Sequence, residues 1–176
     1  MKIAIVGTGK VGSMLVHQLS GEDHDIVVID NHPEVLKQNT ERYDVMGLLG
    51  NGATVDVQRE AGVDKADLLI ATTNLDECNL LACLVAKNLG VRHTIARVRN
   101  PEYASQVDFL KNDLGLSMTI NPEFEASAEI SRVLRYPSAL KVTPFARGRV
   151  EMVEFRLHEE KRFLTQKLAP LGVAIS

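Results

Sequence analysis

Tryptophan is absent from this 176-residue chain, and aromatic residues make up only 5% of it. So few rings argue against a base-stacking surface. No sign of charge dominates either. Twenty Lys and Arg against 23 Asp and Glu leave a formal net charge of −3, with no basic stripe, so nucleic acid is not an expected partner. No apolar run approaches the roughly 18 residues of a spanning helix, so direct membrane insertion is not expected. Met1-Lys2 leads straight into an apolar stretch, which predicts no signal peptide. There are two cysteines, Cys78 and Cys83, five apart in one predicted helix. That spacing suits neither a metal site nor a disulfide, and both read as packing residues in a reducing cytoplasm. The length allows one core, or one core and a small appendage.

What is present starts at once. Ile3-Ala4-Ile5-Val6 is followed by Gly7-Thr8-Gly9-Lys10-Val11-Gly12, a helical run to Ser20, and Ile26-Val27-Val28-Ile29-Asp30. Strand, glycine turn, helix and second strand are the context that gives a G-x-G-x-x-G pattern physical meaning. Gly7 suits the tight turn, Gly9 lets a pyrophosphate approach the backbone, and Gly12 lets helix and strand pack closely. The free amides and positive dipole end of that helix face the phosphates. Asp30 lies eighteen residues past Gly12, where a carboxylate accepts from ribose hydroxyls. The plainer alternative is a turn that binds nothing. A carboxylate at 30 also repels a 2′-phosphate, and between residues 31 and 41 only Lys37 is available to receive one, so NAD(H) is expected over NADP(H).

Asn31-His32-Pro33-Glu34 opens a helix to about Tyr43, with Asn31 or His32 as its cap and His32 as a surface turn residue. Val45 to Leu49 reads as a third buried strand. Gly50-Asn51-Gly52-Ala53-Thr54 is a second glycine-rich turn, which a doubly wound sheet places beside the ribose and base of a nucleotide. Asn51 could face the adenine; a plain turn needing positive φ fits equally. Thr54 caps a short helix from Val55 to Ala61, and Gly62 ends it. Asp67 to Ala71 is the fourth strand, followed by Thr72-Thr73-Asn74 at its carboxyl edge. Cys78, Leu81, Ala82, Val85 and Leu89 then recur at helical spacing until Gly90. Asp76, Glu77 and Asn79 read as capping and dipole complementation, or as a polar cluster near a ligand or partner.

Thr94 to Arg99 is the fifth strand, and Arg97 within it is a charge in a buried run. It needs an anion, either a bound phosphate or a carboxylate. Asn100-Pro101-Glu102 opens a helix to Gly115, and Ser117 to Ile120 is the sixth strand. Asn121-Pro122-Glu123 repeats the cap-proline-acid start for a helix to about Tyr136.

Six alternations of strand and helix predict an α/β fold: a Rossmann-like, doubly wound, parallel six-stranded sheet over residues 1–136. Its site lies in the crevice between strands one and four. Residues 137–176 predict a small β-rich appendage, with antiparallel strands from Ala139 to Phe145 and Arg149 to His158. Arg147-Gly148 turns between them, and Val153, Phe155 and Leu157 share one face. Lys161 to Ser176 begins a helix or small α/β unit around Leu164, Leu168 and Leu171. So thin a core predicts packing against a second subunit, or a fragment of something longer.

A dehydrogenase also needs a region that holds substrate and supplies an acid or base. No Tyr-x-x-x-Lys pair exists, since Val107 and Leu140 stand four residues after Tyr103 and Tyr136. No G-x-S-x-G, Cys–His pair or metal-ligand spacing appears, and no histidine sits near a carboxylate as a proton relay. A crevice without a catalytic half favours a sensor. The alternatives are an NAD-dependent oxidoreductase fragment and a plain dimerisation module.

Met1 through Gly12, Val28 to Asp30, Gly50 to Thr54, Leu69 to Thr73 with Asp76, Glu77 and Asn79, Ile95 to Val98, and Ile120 to Glu123 together resemble the KTN/RCK domains that regulate potassium transporters and channels. The likeness covers residues 1–136 well and the tail loosely. It implies a cytoplasmic regulatory subunit, not an enzyme, held at the inner face of the membrane by a membrane-embedded potassium transporter subunit. It implies a homodimer or larger ring, with NAD or NADH, or alternatively ATP or ADP, in the crevice. Ligand exchange would change the ring and gate ion flow. By motif, Gly7, Gly9 and Gly12 would hold phosphates and Asp30 the ribose, with Thr8, Lys10, Val11 and Asn31 beside them as cofactor-binding residues. Asn51 and Gly52 would lie at the adenosine end, and Thr72, Thr73, Asn74 and Arg97 would complete the crevice. The helix over 122–136 would be the dimer element. No catalytic or metal residue is assigned, although Glu123 matches a position where some relatives carry a divalent-cation ligand.

Overall fold

The computed structural model describes residues 1–145 and 149–156. The expected turn at Arg147-Gly148, the end of the last strand at Leu157 and His158, and the element from Lys161 onward lie outside the described residues. The chain divides into two compact units, Met1–Phe124 and a second from Glu125 onward.

The first unit is a six-stranded parallel sheet in the order β3-β2-β1-β4-β5-β6. Its strands are β1 (Lys2–Val6), β2 (Asp25–Asp30), β3 (Met46–Leu49), β4 (Leu68–Ala71), β5 (His93–Arg97) and β6 (Met118–Ile120). Strand side chains alternate between two cores, as a period of two requires. Ala4, Val6, Val27, Ile29, Leu69, Ala71 and Ala96 point to one. Ile3, Ile5, Ile26, Val28 and Ile70 point to the other. Helices α1 (Lys10–Leu19), α2 (Pro33–Arg42), α3 (Val55–Glu60), α4 (Asp76–Asn88), α5 (Pro101–Ala104) and α6 (Val107–Asp113) connect the strands.

The outer strands depart from expectation. β3 is an edge rather than a buried strand: Met46 and Leu49 are 56% and 55% exposed, because only β2 pairs with it. The helix expected from Pro101 to Gly115 is broken into α5 and α6. At the break Ser105 turns its hydroxyl onto the Glu102 carbonyl at 2.7 Å, and the Gln106 amide takes a tighter bond to Tyr103 O at 2.9 Å. Such local bonds compete with the helical ladder.

The helix ends obey the sequence signals unevenly. Gly90 adopts φ +102, and the amides of Gly90 and Val91 return to the carbonyls of Lys87 and Ala86, closing α4 as a Schellman turn. Asn100 and Asn121 act as side-chain caps, accepting from the amides of Glu102 and Phe124 at 2.9 and 3.0 Å. Thr54 stands at the expected start of α3 but donates to the Asn51 carbonyl instead of capping.

Helix α7 (Pro122–Arg135) starts at the end of the first unit and continues into the second. The second unit also holds β7 (Ala139–Phe145) and β8 (Val150–Phe155), paired antiparallel with an irregularity between Ala139 and Lys141. Val153 is half-buried as expected of an inner face, but Phe155 is 49% exposed.

Candidate functional site

Chain direction reverses its spread at β1: β2 and β3 lie to one side, β4 to β6 to the other. At such a switch point the connections at the carboxyl ends diverge and leave a crevice. Here it measures about 560 Å³, within the range of roughly 300–1,000 Å³ usual for small-molecule sites.

Gly7, Gly9, Lys10 and Val11 line its floor, at the turn from β1 into α1. Three glycines do three jobs. Gly7 has φ +86, and a Cβ there would stand 2.7 Å from the Thr73 amide nitrogen. A Cβ on Gly12 would lie 2.0 Å from the Gly7 carbonyl oxygen, so Gly12 sets how closely α1 meets β1. Gly9 differs: a Cβ there would meet no protein atom within 4 Å. The protein does not need glycine at 9 for its own packing. What the position offers is open space beside the first-turn amides of α1, which lack partners within the helix. A phosphate-bearing ligand fits that cradle.

One end of the crevice is formed by Asp30, Asn31, Asn51 and Gly52. Asp30 is 8% exposed, and the protein already surrounds its carboxylate. Oδ2 accepts from the Thr8 amide at 2.6 Å and the Thr8 hydroxyl at 2.9 Å. Oδ1 accepts from the His32 amide at 2.9 Å and faces His32 Nδ1 at 3.2 Å. Burial works to raise the Asp30 pKa, but these bonds outweigh it and hold the carboxyl below its ordinary value. Thr8 is therefore not a crevice residue. It is fully buried and anchors Asp30 from behind, as Gly12 anchors the turn. His32, read from the sequence as a lone surface turn residue, is this carboxylate's partner and lines the crevice. Its position two residues past the strand tip was the available signal.

The second glycine turn is held by packing rather than by positive φ. A Cβ on Gly52 would stand 2.3 Å from Val6 Cγ1, and one on Gly50 2.9 Å from Val57 Cγ2. Asn51 Oδ1 accepts from the Ala53 amide at 3.0 Å. Beneath the turn, fully buried Gln58 donates to Gly52 O at 2.7 Å and Ala82 O at 2.8 Å. Gln58 ties turn to α4, and its Oε1 has no partner.

Thr72, Thr73, Asn74, Arg97 and Glu123 form the other end. Thr72 donates to Gly7 O at 2.8 Å, joining the β4 tip to the glycine turn. Asn79 is fully buried, accepts from the Thr73 amide at 2.8 Å and donates to Arg97 O at 2.9 Å. Asp76 accepts from the amides of Arg99 and Asn100 at 2.8 and 2.7 Å. Asp76 and Asn79 thus fix the β4 loop to the end of β5, rather than capping α4 or meeting a ligand. Arg97 is 9% exposed and donates to Thr73 O at 3.3 Å and to the Glu123 carboxylate. Its Nε is buried without a partner. The anion the sequence demanded is therefore Glu123. Desolvation works to raise the Glu123 pKa, but the hydrogen bond from Arg97 and its charge bring it below the usual value. No group of three or more His, Cys, Asp or Glu able to hold a metal ion occurs among the described residues.

Crevice residues not singled out from sequence include Leu75 and Cys78, on the loop and first turn of α4. Cys83, one turn further, is fully buried, and burial pushes its thiol up to about 12.

The TrkA-N domain model matches residues 3–122. The chain is similar to the Trk system potassium uptake protein TrkA of Vibrio alginolyticus, 37% identical over 161 residues, covering 90% of this chain and 35% of that protein. A TrkA homolog of Archaeoglobus fulgidus is 36% identical over 171 residues, 97% of this chain and 39% of that one. The chain thus spans little more than a third of the length of these curated relatives. Among solved structures, the TrkA-N domain of the Escherichia coli inner membrane protein ybaL superposes with TM-score 0.66 at 25% identity, over 76% of this chain and 96% of that one. The Shewanella denitrificans Kef C-terminal domain in AMP-bound form gives 0.65 at 18%, over 80% and 84%. The GsuK channel bound to NAD gives 0.58 at 21%, over 81% and 24%. The last two likenesses concern the fold. The family match and the TrkA relatives establish identity at the level of the domain: the chain belongs to the TrkA-N domain family.

Proposed function

We propose that this chain is the nucleotide-binding regulatory part of a potassium uptake system. NAD or NADH, with ATP or ADP as alternative ligands, binds the crevice and shifts the conformation of a homodimer or larger ring. That shift gates a membrane-embedded potassium transporter subunit, which holds the chain at the cytoplasmic face of the membrane. Residues 1–136 form the nucleotide-binding domain, and the helix over 122–136 is the dimer element.

The observation that carries the reading is the open cradle at Gly9. Every other glycine of the two turns is demanded by a close protein contact; this one is not. The floor residues Gly7, Gly9, Lys10 and Val11 face phosphates, and the α1 dipole favours them. Asp30, with Asn31, faces the ribose, and Asn51 and Gly52 face the base. Thr72, Thr73, Asn74 and Arg97 face the distal half of the ligand. The names of the TrkA relatives support transport regulation rather than catalysis. The nucleotides named with two fold relatives, AMP and NAD, support the ligand class. A ligand that prefers one geometry of the assembly shifts its population by that difference in affinity.

The test is a thermal-shift series with AMP, ADP, ATP, NAD, NADH and NADP. A ligand at ~100 times its dissociation constant adds about 2.7 kcal/mol of stability. A flat series across all six nucleotides refutes the proposal, and steady consumption of NADH with a small substrate replaces it with an oxidoreductase.

A further inference from the structure

The two ends of the crevice are far apart. Asp30 ends β2 and Arg97 ends β5, with β1 and β4 between them. Three strand spacings of ~4.8 Å put them about 14 Å apart across the sheet. A nucleoside monophosphate anchored at Asp30 ends at the glycine turn above β1. A nucleotide with a second phosphate and a further group continues toward β5.

What it meets there is a guanidinium with its anion already in place. Arg97 is nine-tenths buried, its Nε has no partner, and its NH2 group donates to Glu123. The two partners differ in freedom. Arg97 is fixed by burial and by its bond to Thr73 O. The Glu123 side chain is 54% exposed and stands in the first turn of α7. An exposed carboxylate is readily rehydrated, so it is the partner that can leave. The start of α7 does not depend on it, because Asn121 caps the helix and also donates to Arg99 O at 3.3 Å.

Resting on the nucleotide reading above, we infer that Glu123 is a displaceable stand-in for the second phosphate of the ligand. Long nucleotides take Arg97 from Glu123 and so remove one of the ties between the first turn of α7 and β5, leaving those of Asn121 in place; short ones leave the pair intact. The crevice thereby reports the length of its occupant, and not merely its presence, to the helix that leaves the domain. An exposed-to-buried pair of this kind contributes about 1 kcal/mol, so its loss on binding lowers affinity about fivefold.

The experiment is isothermal titration of the purified chain with AMP and with NAD, for wild type, Glu123→Gln and Arg97→Lys. With Glu123→Gln, NAD binds about fivefold tighter and AMP is unchanged. With Arg97→Lys, which keeps the charge but loses the fork that meets Thr73 O and Glu123, NAD weakens and AMP does not. In the double variant the Glu123 effect on NAD disappears. Equal shifts for AMP and NAD, or no shift for either, overturn the inference while leaving the nucleotide site standing. Failure of the wild-type chain to bind AMP and NAD removes the site, and the inference with it.

Discussion

Gly9 and Gly12 are neighbours in one motif, yet the structure separates what they do, and alanine at each position makes the separation measurable. At Gly12 an added methyl would lie 2.0 Å from a backbone carbonyl oxygen and 3.0 Å from Thr72 Oγ1. Neither atom is the end of a flexible chain. Helix α1 must move off the sheet, and overpacking of this kind costs about 1–3 kcal/mol. At Gly9 the methyl meets nothing, and the backbone has an ordinary φ of −65. Two small terms oppose each other there. Alanine is a poorer helix cap than glycine, and it restricts the unfolded chain by about 0.4–1 kcal/mol. The unliganded Gly9→Ala protein should therefore melt within a few degrees of wild type, since 1 kcal/mol is worth roughly 2–4 °C at this chain length. The assay is thermal denaturation with and without NAD at ~100 times the wild-type dissociation constant. Wild type gains about 5–10 °C. Gly9→Ala gains nothing, because its methyl fills the phosphate cradle. Gly12→Ala melts lower with or without NAD. A Gly9→Ala protein that keeps the full NAD shift would refute the assignment of the open space to a ligand, and one that melts far below wild type would show that Gly9 serves the fold after all.

Four further expectations concern groups in and around the crevice. The folded pKa of Asp30 lies below its unfolded value of 3.8, so its contribution is fully present above that value and is lost as pH falls below it. Asp30→Asn should flatten this acid limb in a stability profile between pH 7 and pH 3; an unchanged limb would assign it to other carboxylates. Gln58→Leu removes two buried donors, to Gly52 O and Ala82 O, and should cost roughly 1–3 kcal/mol in urea denaturation; full stability would show that its unpartnered Oε1 had cancelled the gain. In a thiol titration of the native protein at pH 8, Cys78 should react and Cys83 should not, since its thiol titrates at about 12. NAD should slow Cys78, which lines the crevice; equal rates with and without nucleotide would place the ligand elsewhere.

The sheet was legible because its strands are short, apolar and bounded by turn and helix-start residues, so parallel direction and the switch point between strands one and four followed from the alternation and the glycine turn. Local chemistry carried the glycine turn and the tip at Asp30 equally well. What the sequence hid were pairings between distant residues. Asp76 and Asn79 look like first-turn helix residues, and only the adjacency of β4 and β5 reveals that they hold the end of β5. Arg97 declared its need for an anion, but 26 residues separate it from Glu123, and the Asn-Pro-Glu context offered capping as a sufficient account of that carboxylate. Glycines 50 and 52 signalled a turn; that their reason is Val57 and Val6 pressing on them, rather than backbone conformation, depends on packing no spacing rule encodes. The exposure of β3 followed from its place at the edge, which strand composition does not give.

The four contacts around Asp30 have a consequence for selectivity. This carboxylate is fully solvated by the protein before a nucleotide arrives. On the nucleotide reading, a ribose hydroxyl that docks there exchanges for a bond to His32 or Thr8, so the attraction gained is close to zero. A 2′-phosphate has no such exchange to make. It sets a second negative charge against an anion that is buried, immobile and held in its charged form at neutral pH. Asp30 then works less as a grip than as a filter: it adds little to how tightly the right nucleotide is held and much to the refusal of the wrong one.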